Sequence, residues 1–293
     1  MKRLGSRVLG VDPAKNIATY ATKQGIPTIP RYFTPKVAQS IKKTHGQADV
    51  ICATNVFAHT ADLHLFTNAI DMLLKPNGVF IVQFKYLLDL VNQNAFDTVY
   101  HEHISYFLLA PVITLLSTHH LQVFDVVHVE AEGGSLRVFA AHDTHSPKQK
   151  TSVSTYLSIE KKLKLYQYKT YASYAKRPAR LKKSLTTLLH SLKKKHKRIV
   201  AYGASAKGGN MLQYCEITSD LVEYIVDGAE AKIGKFMPGS HLPIYNPDTL
   251  KENPPDYILL LAWNFADSIM KRESWFTKQG GKFIILIPEI KII

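Results

Sequence analysis

The sequence predicts an α/β fold in which a doubly wound sheet is followed by a helical linker and a second, smaller α/β domain. Two observations support this prediction. Short apolar runs alternate with amphipathic helical stretches in the first and the last part of the chain, as in parallel sheets flanked by helices. Between these parts lies a long, basic, helical stretch without a strand pattern. We therefore expect three segments, residues 1–146, 147–196 and 197–293.

The first segment begins with a strand and then alternates helix and strand. The run RVLGVD is a predicted strand that ends at Asp12, and Pro13 follows in the position that proline favours at the start of a helix. The later elements come in the order strand ADVICATN, helix ADLHLFTNAIDMLL, turn KPNG, strand GVFIVQF and hairpin LQVFDVVHVE–AEGG–SLRVFAAH. The hairpin adds an antiparallel edge to the predicted sheet.

The linker and the last segment differ clearly in pattern. The linker carries leucines on one predicted helical face and lysines on the other, the leucines being Leu181, Leu185, Leu188, Leu189 and Leu192. The last segment then restarts the alternation in the order strand RIVAYG, loop GASAKGG, helix through MLQYCEI, and strands LVEYIVD, DYILLLAW and KFIILIP. This order predicts the second α/β domain.

Composition excludes several classes of protein. With 293 residues, 46% of them hydrophobic, the chain is long enough for two domains. Cys52 and Cys215 are the only cysteines, so neither a disulfide framework nor a four-cysteine zinc site can form, and we expect no metal. No run in the sequence approaches the roughly 18 apolar residues that cross a bilayer. We therefore expect a soluble, cytoplasmic protein.

The net charge of +14 suits an anionic partner, and it is unevenly spread. Much of it lies between Lys161 and Arg198, opposite the leucine face of the linker. Two interpretations stay open: a solvated helical face, or a surface that attracts an anion. No nucleic-acid-binding signature accompanies the charge, so we do not expect nucleic acid as a partner.

Polar residues that follow predicted strands are the first candidates for a site, because ligands of doubly wound folds bind beyond the carboxyl ends of the strands. The carboxylate of Asp12 can accept hydrogen bonds from the hydroxyls of a ribose, or it can cap the following helix. Asn55 ends the strand ADVICATN. His59 follows it on the loop or first helical turn above the sheet, where a single histidine is usually structural.

The segment FDTVYHEHISYF is more informative, because it places Tyr100, Glu102 and His103 close together. An imidazole exchanges protons near neutral pH, so His103 is a candidate general base, and Glu102 or a tyrosine can orient it or stabilise charge. A polar loop and a zinc site are the alternatives. The spacing HEH does not match the H-E-x-x-H zinc motif, which disfavours the metal.

The loop GASAKGG follows a predicted strand and opens a helix, so its backbone N–H groups can hold a phosphate, with Lys207 adding positive charge. It is neither a P-loop nor a full GxGxxG pattern. Asp227, 24 positions after Gly203, is a candidate to bind a ribose as in dinucleotide folds, but the incomplete glycine pattern makes a nicotinamide cofactor a minor alternative.

Several of these motifs together resemble one family. ADVICATNVFAHTADLHLFTNAIDMLLKPNGVFIVQF resembles the second half of a class I methyltransferase domain. FDTVYHEHISYF, EGGSLRVF, RIVAYGASAKGGNMLQYC, MPGSHLPI and LLLAWNF are similar to the S-adenosylmethionine-dependent C-methyltransferases that modify nucleotide-linked deoxy-ketosugars. The resemblance covers almost the whole chain. It implies a class I methyltransferase-like fold, a C-terminal Rossmann-like domain and S-adenosylmethionine as cofactor.

The resemblance also implies a role for each candidate residue. Asp12 holds the ribose of the cofactor and Asn55 lies beside the cofactor. His103 removes a proton next to the keto group of the sugar, while Tyr100, Glu102 and His59 position the substrate and stabilise the enolate. Ser205 and Lys207 face the diphosphate of a nucleotide sugar, which we expect to carry thymidine diphosphate.

The sequence departs from this family at its front. Members have an N-terminal zinc-binding domain, a first strand and a glycine-rich loop before the segment that corresponds to VLGVDP, whereas only MKRLGSR precedes it here. We therefore expect a truncated methyltransferase sheet that lacks its first strand. Gln83 stands where the family often has glutamate. A catalytically inactive remnant that still binds nucleotide sugars is the alternative function.

Overall fold

The structure is a computed structural model and describes Lys2 and residues 5–293. The chain forms two compact units. Unit 1 comprises Met1–Lys85, Ile104–Glu130 and Ser135–Ile159, and unit 2 comprises Tyr86–His103, Ala131–Gly134 and Glu160–Ile293. The segment that contains the FDTVYHEH motif is thus part of the same unit as the C-terminal α/β domain. The three segments expected from composition stay a prediction.

Helices and strands alternate as the hydrophobic pattern predicts. Strands β1 to β12 are, in order, Gly10–Val11, Thr28–Ile29, Ala48–Thr54, Leu74–Lys85, Leu121–Val129, Ser135–His142, Ile199–Tyr202, Ile225–Val226, Ile244–Tyr245, Tyr257–Leu260, Lys282–Ile285 and Lys291–Ile292. Helices α1 to α12 are, in order, Lys15–Lys23, Pro35–His45, Leu63–Leu73, Leu87–Gln93, Leu109–Ser117, Thr151–Lys162, Tyr168–Tyr174, Lys176–Lys194, Ala206–Tyr214, Thr249–Glu252, Ala266–Arg272 and Ser274–Lys278. The sequence pattern misses β2, β9 and β12, each of two residues; β1 and β8 are as short, but they lie within the longer apolar runs RVLGVD and LVEYIVD.

The strands of unit 1 form two separate sheets. β1 and β2 pair in parallel, and the second sheet has the order β3-β4-β6-β5 with β3 parallel to β4. The predicted hairpin is confirmed, since β5 and β6 pair antiparallel. Within the described residues β1 pairs with β2 alone and β3 with β4 alone, so the single sheet expected from the sequence is interrupted between β1 and β3.

One helical layer nevertheless covers strands of both sheets. The buried side chains of α2 and α3 form a common core, made of Val37, Ala38, Ile41, Ala69 and Leu73. Val11 of β1 and Ile51 of β3 both pack against that core. Burial of these apolar side chains therefore holds the two sheets in one unit even though no described backbone hydrogen bond joins β1 to β3.

The predicted turn KPNG lies inside β4 and does not precede it. Ala48 pairs with Leu74 and Val50 pairs with Val79, so the four residues 75–78 bulge out opposite a single residue of β3. Pro76 has no N–H to donate to a ladder, which accounts for the bulge.

Unit 2 contains a six-stranded sheet of order β12-β11-β10-β7-β8-β9. Its strands are parallel except for β12, which pairs antiparallel with β11. β7 is the first of these six strands in the chain, and it lies between β8 and β10. Later strands are therefore added on both sides of β7, and doubly wound folds bind ligands at such a point. Helix α8 of the linker buries Leu181, Leu185, Leu189 and Leu192, and Leu188 is half-buried at the border of the predicted face.

Two absences concern the described residues only. Between Lys2 and Ile293, leaving out residues 3 and 4, no helix is both long and apolar enough to cross a membrane. In the same part of the chain, no three histidine, cysteine, aspartate or glutamate side chains are grouped so that they could hold a metal ion.

Two histidines of unit 1 should make its stability depend on pH. Nδ1 of His64 lies 3.0 Å from Nε2 of His119. Burial lowers the pKa of His119, and the neighbouring His64 lowers it further. The unfolded chain therefore takes up a proton at higher pH than folded His119 does. We expect the free energy of unfolding to decrease as the pH falls below about 6.5, the ordinary pKa of histidine.

Urea unfolding at pH 8 and pH 5 measures this dependence. His119→Gln should remove the part of this decrease in the free energy of unfolding that comes from His119. His64→Gln should remove only some of that part, because burial is the larger cause of the lowered pKa of His119. The exposed His190 provides a control, and His190→Gln should leave the decrease unchanged. Identical decreases in the wild type and in His119→Gln would contradict the prediction.

Candidate active site

His103 is held by a backbone carbonyl that fixes its protonated nitrogen. It follows the short helical turn Phe96–Thr98, and its Nδ1 lies 2.8 Å from the carbonyl oxygen of Thr98. A carbonyl oxygen only accepts hydrogen bonds, so Nδ1 carries the proton and donates it. Nε2 is then the unprotonated nitrogen of the neutral ring. The fold thus presents His103 in the tautomer whose Nε2 can accept a proton.

Tyr100 contacts this nitrogen directly. Its hydroxyl oxygen lies 3.2 Å from Nε2 of His103, and the two ring centroids are 4.3 Å apart. The phenol donates to the neutral imidazole, and it can accept a hydrogen bond once the imidazole is protonated. Both residues are half-buried, whereas Glu102 is exposed. Of the three residues predicted from FDTVYHEHISYF, the structure brings Tyr100 and His103 into contact.

The loop GASAKGG forms the predicted connection between β7 and α9. Gly203 has a φ of 102°, and a Cβ at this position would lie 2.6 Å from Cβ of Ala262, so only glycine fits. The hydroxyl oxygen of Ser205 accepts a hydrogen bond from the Gly208 N–H at 3.1 Å. Ser205 is therefore the N-cap of α9, whose first-turn N–H groups can bind an anion.

Lys207 is paired within unit 2. Its Nζ lies 2.9 Å from a carboxylate oxygen of Glu132, in the turn between β5 and β6. The Lys207 side chain is only 14% exposed, and its ammonium lies 6.0 Å from the centre of the Trp263 ring. The sequence does not predict this ion pair, because the two residues are 75 positions apart.

Asp227 supports the same loop. One carboxylate oxygen accepts the Ala204 N–H at 2.7 Å, and the other accepts the Ala229 N–H at 2.8 Å. Burial alone would raise the pKa of Asp227, but these hydrogen bonds and the nearby Lys232 lower it below the usual value. Asp227 is therefore an ionised brace of the GASAKGG loop. It also lines a cavity of about 250 Å³ at the ends of β7 and β8.

The candidate residues of the cofactor site lie in unit 1. One carboxylate oxygen of Asp12 accepts the Ala14 N–H at 2.8 Å, which closes the turn before α1; the N-cap residue of this helix is Ala14, and no side chain caps it, so Asp12 is not the helix cap that one interpretation of the sequence expects. Asn55 follows β3 with a φ of 56°, a conformation that asparagine tolerates, and its N–H donates to the carbonyl of Gln83. His59 is exposed at the end of the turn Phe57–His59.

The site residues are therefore divided between the two units. Asp12, Asn55 and His59 belong to unit 1, whereas Tyr100, Glu102, His103, Ser205 and Lys207 belong to unit 2. The residues of unit 1 fit part of S-adenosylmethionine: a carboxylate at a strand end suits the hydroxyls of its ribose. No strand of unit 1 among the described residues is followed by a glycine-rich loop, so these residues offer no backbone cradle for its methionine end.

Solved structures similar to this chain include several methyltransferases. One is magnesium protoporphyrin IX methyltransferase from Synechocystis PCC 6803 with bound S-adenosylhomocysteine, at 13% identity and a TM-score of 0.38, covering 48% of this chain and 66% of the other. Another is a methyltransferase dependent on S-adenosylmethionine from Anabaena variabilis, at 18% identity and a TM-score of 0.38, covering 46% of this chain and 68% of the other.

Sequence comparison covers the whole chain. The C-methyltransferase C-terminal domain family matches residues 130–288, and the methyltransferase domain family matches residues 1–82. The ubiquinone biosynthesis O-methyltransferase of Bartonella tribocorum is 32% identical over 83 residues, which cover 28% of this chain and 34% of that protein. The C-methyltransferase NovU of Streptomyces niveus is 38% identical over 292 residues, covering 100% of this chain and 70% of NovU. This chain therefore belongs to the C-methyltransferases whose cofactor is S-adenosylmethionine.

Proposed function

We propose that the methyl acceptor is a 4-keto-deoxysugar linked to thymidine diphosphate, and that the methyl group is added to the carbon next to the keto group. The observation that carries this proposal is the 2.8 Å contact between Nδ1 of His103 and the Thr98 carbonyl oxygen, from which the unprotonated state of Nε2 follows. A ketone makes the neighbouring C–H acidic, so a well-placed imidazole can remove that proton. Such a base contributes about 10²- to 10⁴-fold to the rate.

Each residue then has a defined task. Nε2 of His103 takes the proton, and the electron pair of the broken C–H bond remains on the sugar as an enolate, which forms the new carbon–carbon bond. The Tyr100 hydroxyl, 3.2 Å from Nε2, accepts a hydrogen bond from the protonated ring. Glu102 and His59 position the sugar and stabilise the enolate. Bound S-adenosylmethionine supplies an electrophilic methyl group, and Asp12 and Asn55 hold its adenosine part.

The nucleotide part of the substrate binds to unit 2 in this proposal. The first turn of α9 offers its N–H groups to the diphosphate, and Ser205 keeps that turn in place. Lys207 adds positive charge, although its ion pair with Glu132 weakens the attraction that it exerts on the diphosphate. We expect Lys207→Ala to weaken binding of thymidine diphosphate by about 3- to 10-fold, the effect of one partly compensated charge.

Isothermal titration with thymidine diphosphate measures this effect. Lys182→Ala provides the matched control, because Lys182 also pairs with a glutamate of unit 2, Glu216, at 2.6 Å. It removes the same charge away from the first turn of α9. Equal losses of affinity in Lys207→Ala and Lys182→Ala would show a general charge effect and would contradict the diphosphate assignment.

A second candidate function is nucleotide-sugar binding without methyl transfer. The observation in its favour is the interruption between β1 and β3, together with the absence of a glycine-rich loop after any described strand of unit 1. Separate titrations with S-adenosylmethionine and with a thymidine-diphosphate sugar distinguish the candidates. Binding of both supports the methyltransferase, and sugar binding alone supports the second function.

A further inference from the structure

Helix α9 contacts the loop that carries His103 through one of its faces. Lys207, Asn210 and Tyr214 are three and four positions apart, so their side chains lie on the same side of the helix. The side-chain amide of Asn210 donates two hydrogen bonds to this loop, one to the carbonyl oxygen of Asp97 at 3.1 Å and one to that of Val99 at 3.0 Å. Both N–H groups of that amide are thus used on one short stretch of backbone.

Two aromatic contacts hold the same stretch. The ring of Tyr214 lies 5.0 Å from the ring of Phe96, at an angle of 60°. The indole N–H of Trp263 donates to a carboxylate oxygen of Asp97 at 2.6 Å, and Asp97 is fully buried. These contacts join the loop to residues more than 100 positions away in the sequence. The loop is therefore held by distant residues of unit 2.

The position of these contacts matters for His103. Asp97 and Val99 stand on either side of Thr98, and it is the Thr98 carbonyl that accepts the proton of Nδ1. By holding the carbonyls before and after it, the Asn210 amide restricts rotation of the two peptide groups that orient the Thr98 carbonyl. A change in that orientation would break the hydrogen bond that selects the tautomer.

We propose that Asn210 is a positioning residue for methyl transfer: it holds residues 97–99 so that His103 keeps Nε2 unprotonated, and it ties this geometry to the helix whose first turn binds the diphosphate. The inference rests on the proposed function in two respects, the use of His103 as the base and the binding of the diphosphate by the first turn of α9. It adds a physical connection within unit 2 between the nucleotide-binding turn and the base.

The test compares Asn210→Ala with Gln213→Ala. Gln213 lies on the same helix and also donates its amide to a backbone carbonyl, that of Pro238 at 3.2 Å, so its replacement removes a similar group away from the loop. The first readout is the tautomer of His103 from ¹⁵N NMR of the free chain. The second is the exchange of the sugar proton next to the keto group for deuterium in D₂O, which needs the base and no methyl donor.

In the wild type and in Gln213→Ala we expect the Nδ1–H tautomer of His103. In Asn210→Ala the signals should move toward the average of the two tautomers, and proton exchange should slow by about 10- to 100-fold, as misplaced groups commonly cause. The affinity for thymidine diphosphate should change by less than about 2-fold, since Asn210 lies outside the first turn of α9.

Two outcomes separate the two proposals. An unchanged tautomer in Asn210→Ala overturns the positioning role. A changed tautomer, with no exchange even in wild-type protein that binds the sugar, supports the positioning role and rejects His103 as the base. If Asn210→Ala does not fold, Asn210→Asp replaces it, because aspartate keeps the shape of the side chain and removes both N–H donors; a wild-type tautomer there overturns the inference.

Discussion

Replacing His103 with glutamine should lower the rate of methyl transfer, or of proton exchange at the substrate, by about 10²- to 10⁴-fold. Glutamine has a similar length and can still donate to the Thr98 carbonyl, but its amide cannot take up a proton near neutral pH. Binding of a thymidine-diphosphate sugar should stay within about 3-fold of the wild type, because the proposed nucleotide contacts come from α9. The effect should therefore appear in kcat.

His101→Gln is the matched control for this variant. His101 is two positions away, exposed, and its ring centroid lies 6.3 Å from that of Tyr100, compared with 4.3 Å for His103. We expect it to retain wild-type proton exchange. If His103→Gln also kept its rate within about 3-fold, general-base catalysis by this residue would be excluded. Deuterium incorporation followed by NMR gives this measurement without the cofactor.

Replacing Tyr86 with phenylalanine should lower the free energy of unfolding by about 1.5 to 3 kcal/mol, the cost of removing a hydrogen bond to a buried charged group. Glu160 is fully buried, and its carboxylate accepts hydrogen bonds from the hydroxyls of Tyr86, at 3.0 Å, and Tyr166. Burial and the neighbouring carboxylate raise the pKa of Tyr86 far above its usual value, so the phenol keeps its proton and donates it.

Urea unfolding at neutral pH measures this loss. Tyr168→Phe is the control, because Tyr168 is 83% exposed, and we expect no measurable change from it. The ring of Tyr86 is itself buried, and phenylalanine preserves its apolar packing. A difference between the two variants thus isolates the hydroxyl. Equal stabilities for Tyr86→Phe and the wild type would mean that Glu160 is satisfied without it.

The candidate site shows which parts of the site the sequence can predict. Tyr100 and His103 are three positions apart in one local motif, and the structure places the Tyr100 hydroxyl 3.2 Å from Nε2 of His103. The position of Ser205 at the start of a helix is also predicted by local signals, namely the preceding strand, the glycine after it and the helical pattern that follows. The partner of Lys207 has no such signal, because Glu132 is near in space and 75 positions away in sequence.

The same distinction applies to the fold. Hydrophobic periodicity identifies β3, α3, the β5–β6 hairpin, α8 and β7, because each period is set by the geometry of one element. It places KPNG before a strand, whereas pairing with β3 makes it a bulge within β4. It also predicts one sheet in the first segment, where pairing gives two. Register and strand neighbours depend on distant residues, which a periodic pattern does not encode.

The sequence by itself determined the alternation of strands and helices, the candidate base and the family, because hydrophobic periods and compact motifs are local properties of the chain. Only the tertiary structure decided that the FDTVYHEH segment joins the C-terminal unit, that the Thr98 carbonyl accepts from His103, and that Asn210 donates to the carbonyls on either side of Thr98. A backbone carbonyl is the same in every residue, so its role depends on where folding puts it and leaves no mark in the sequence.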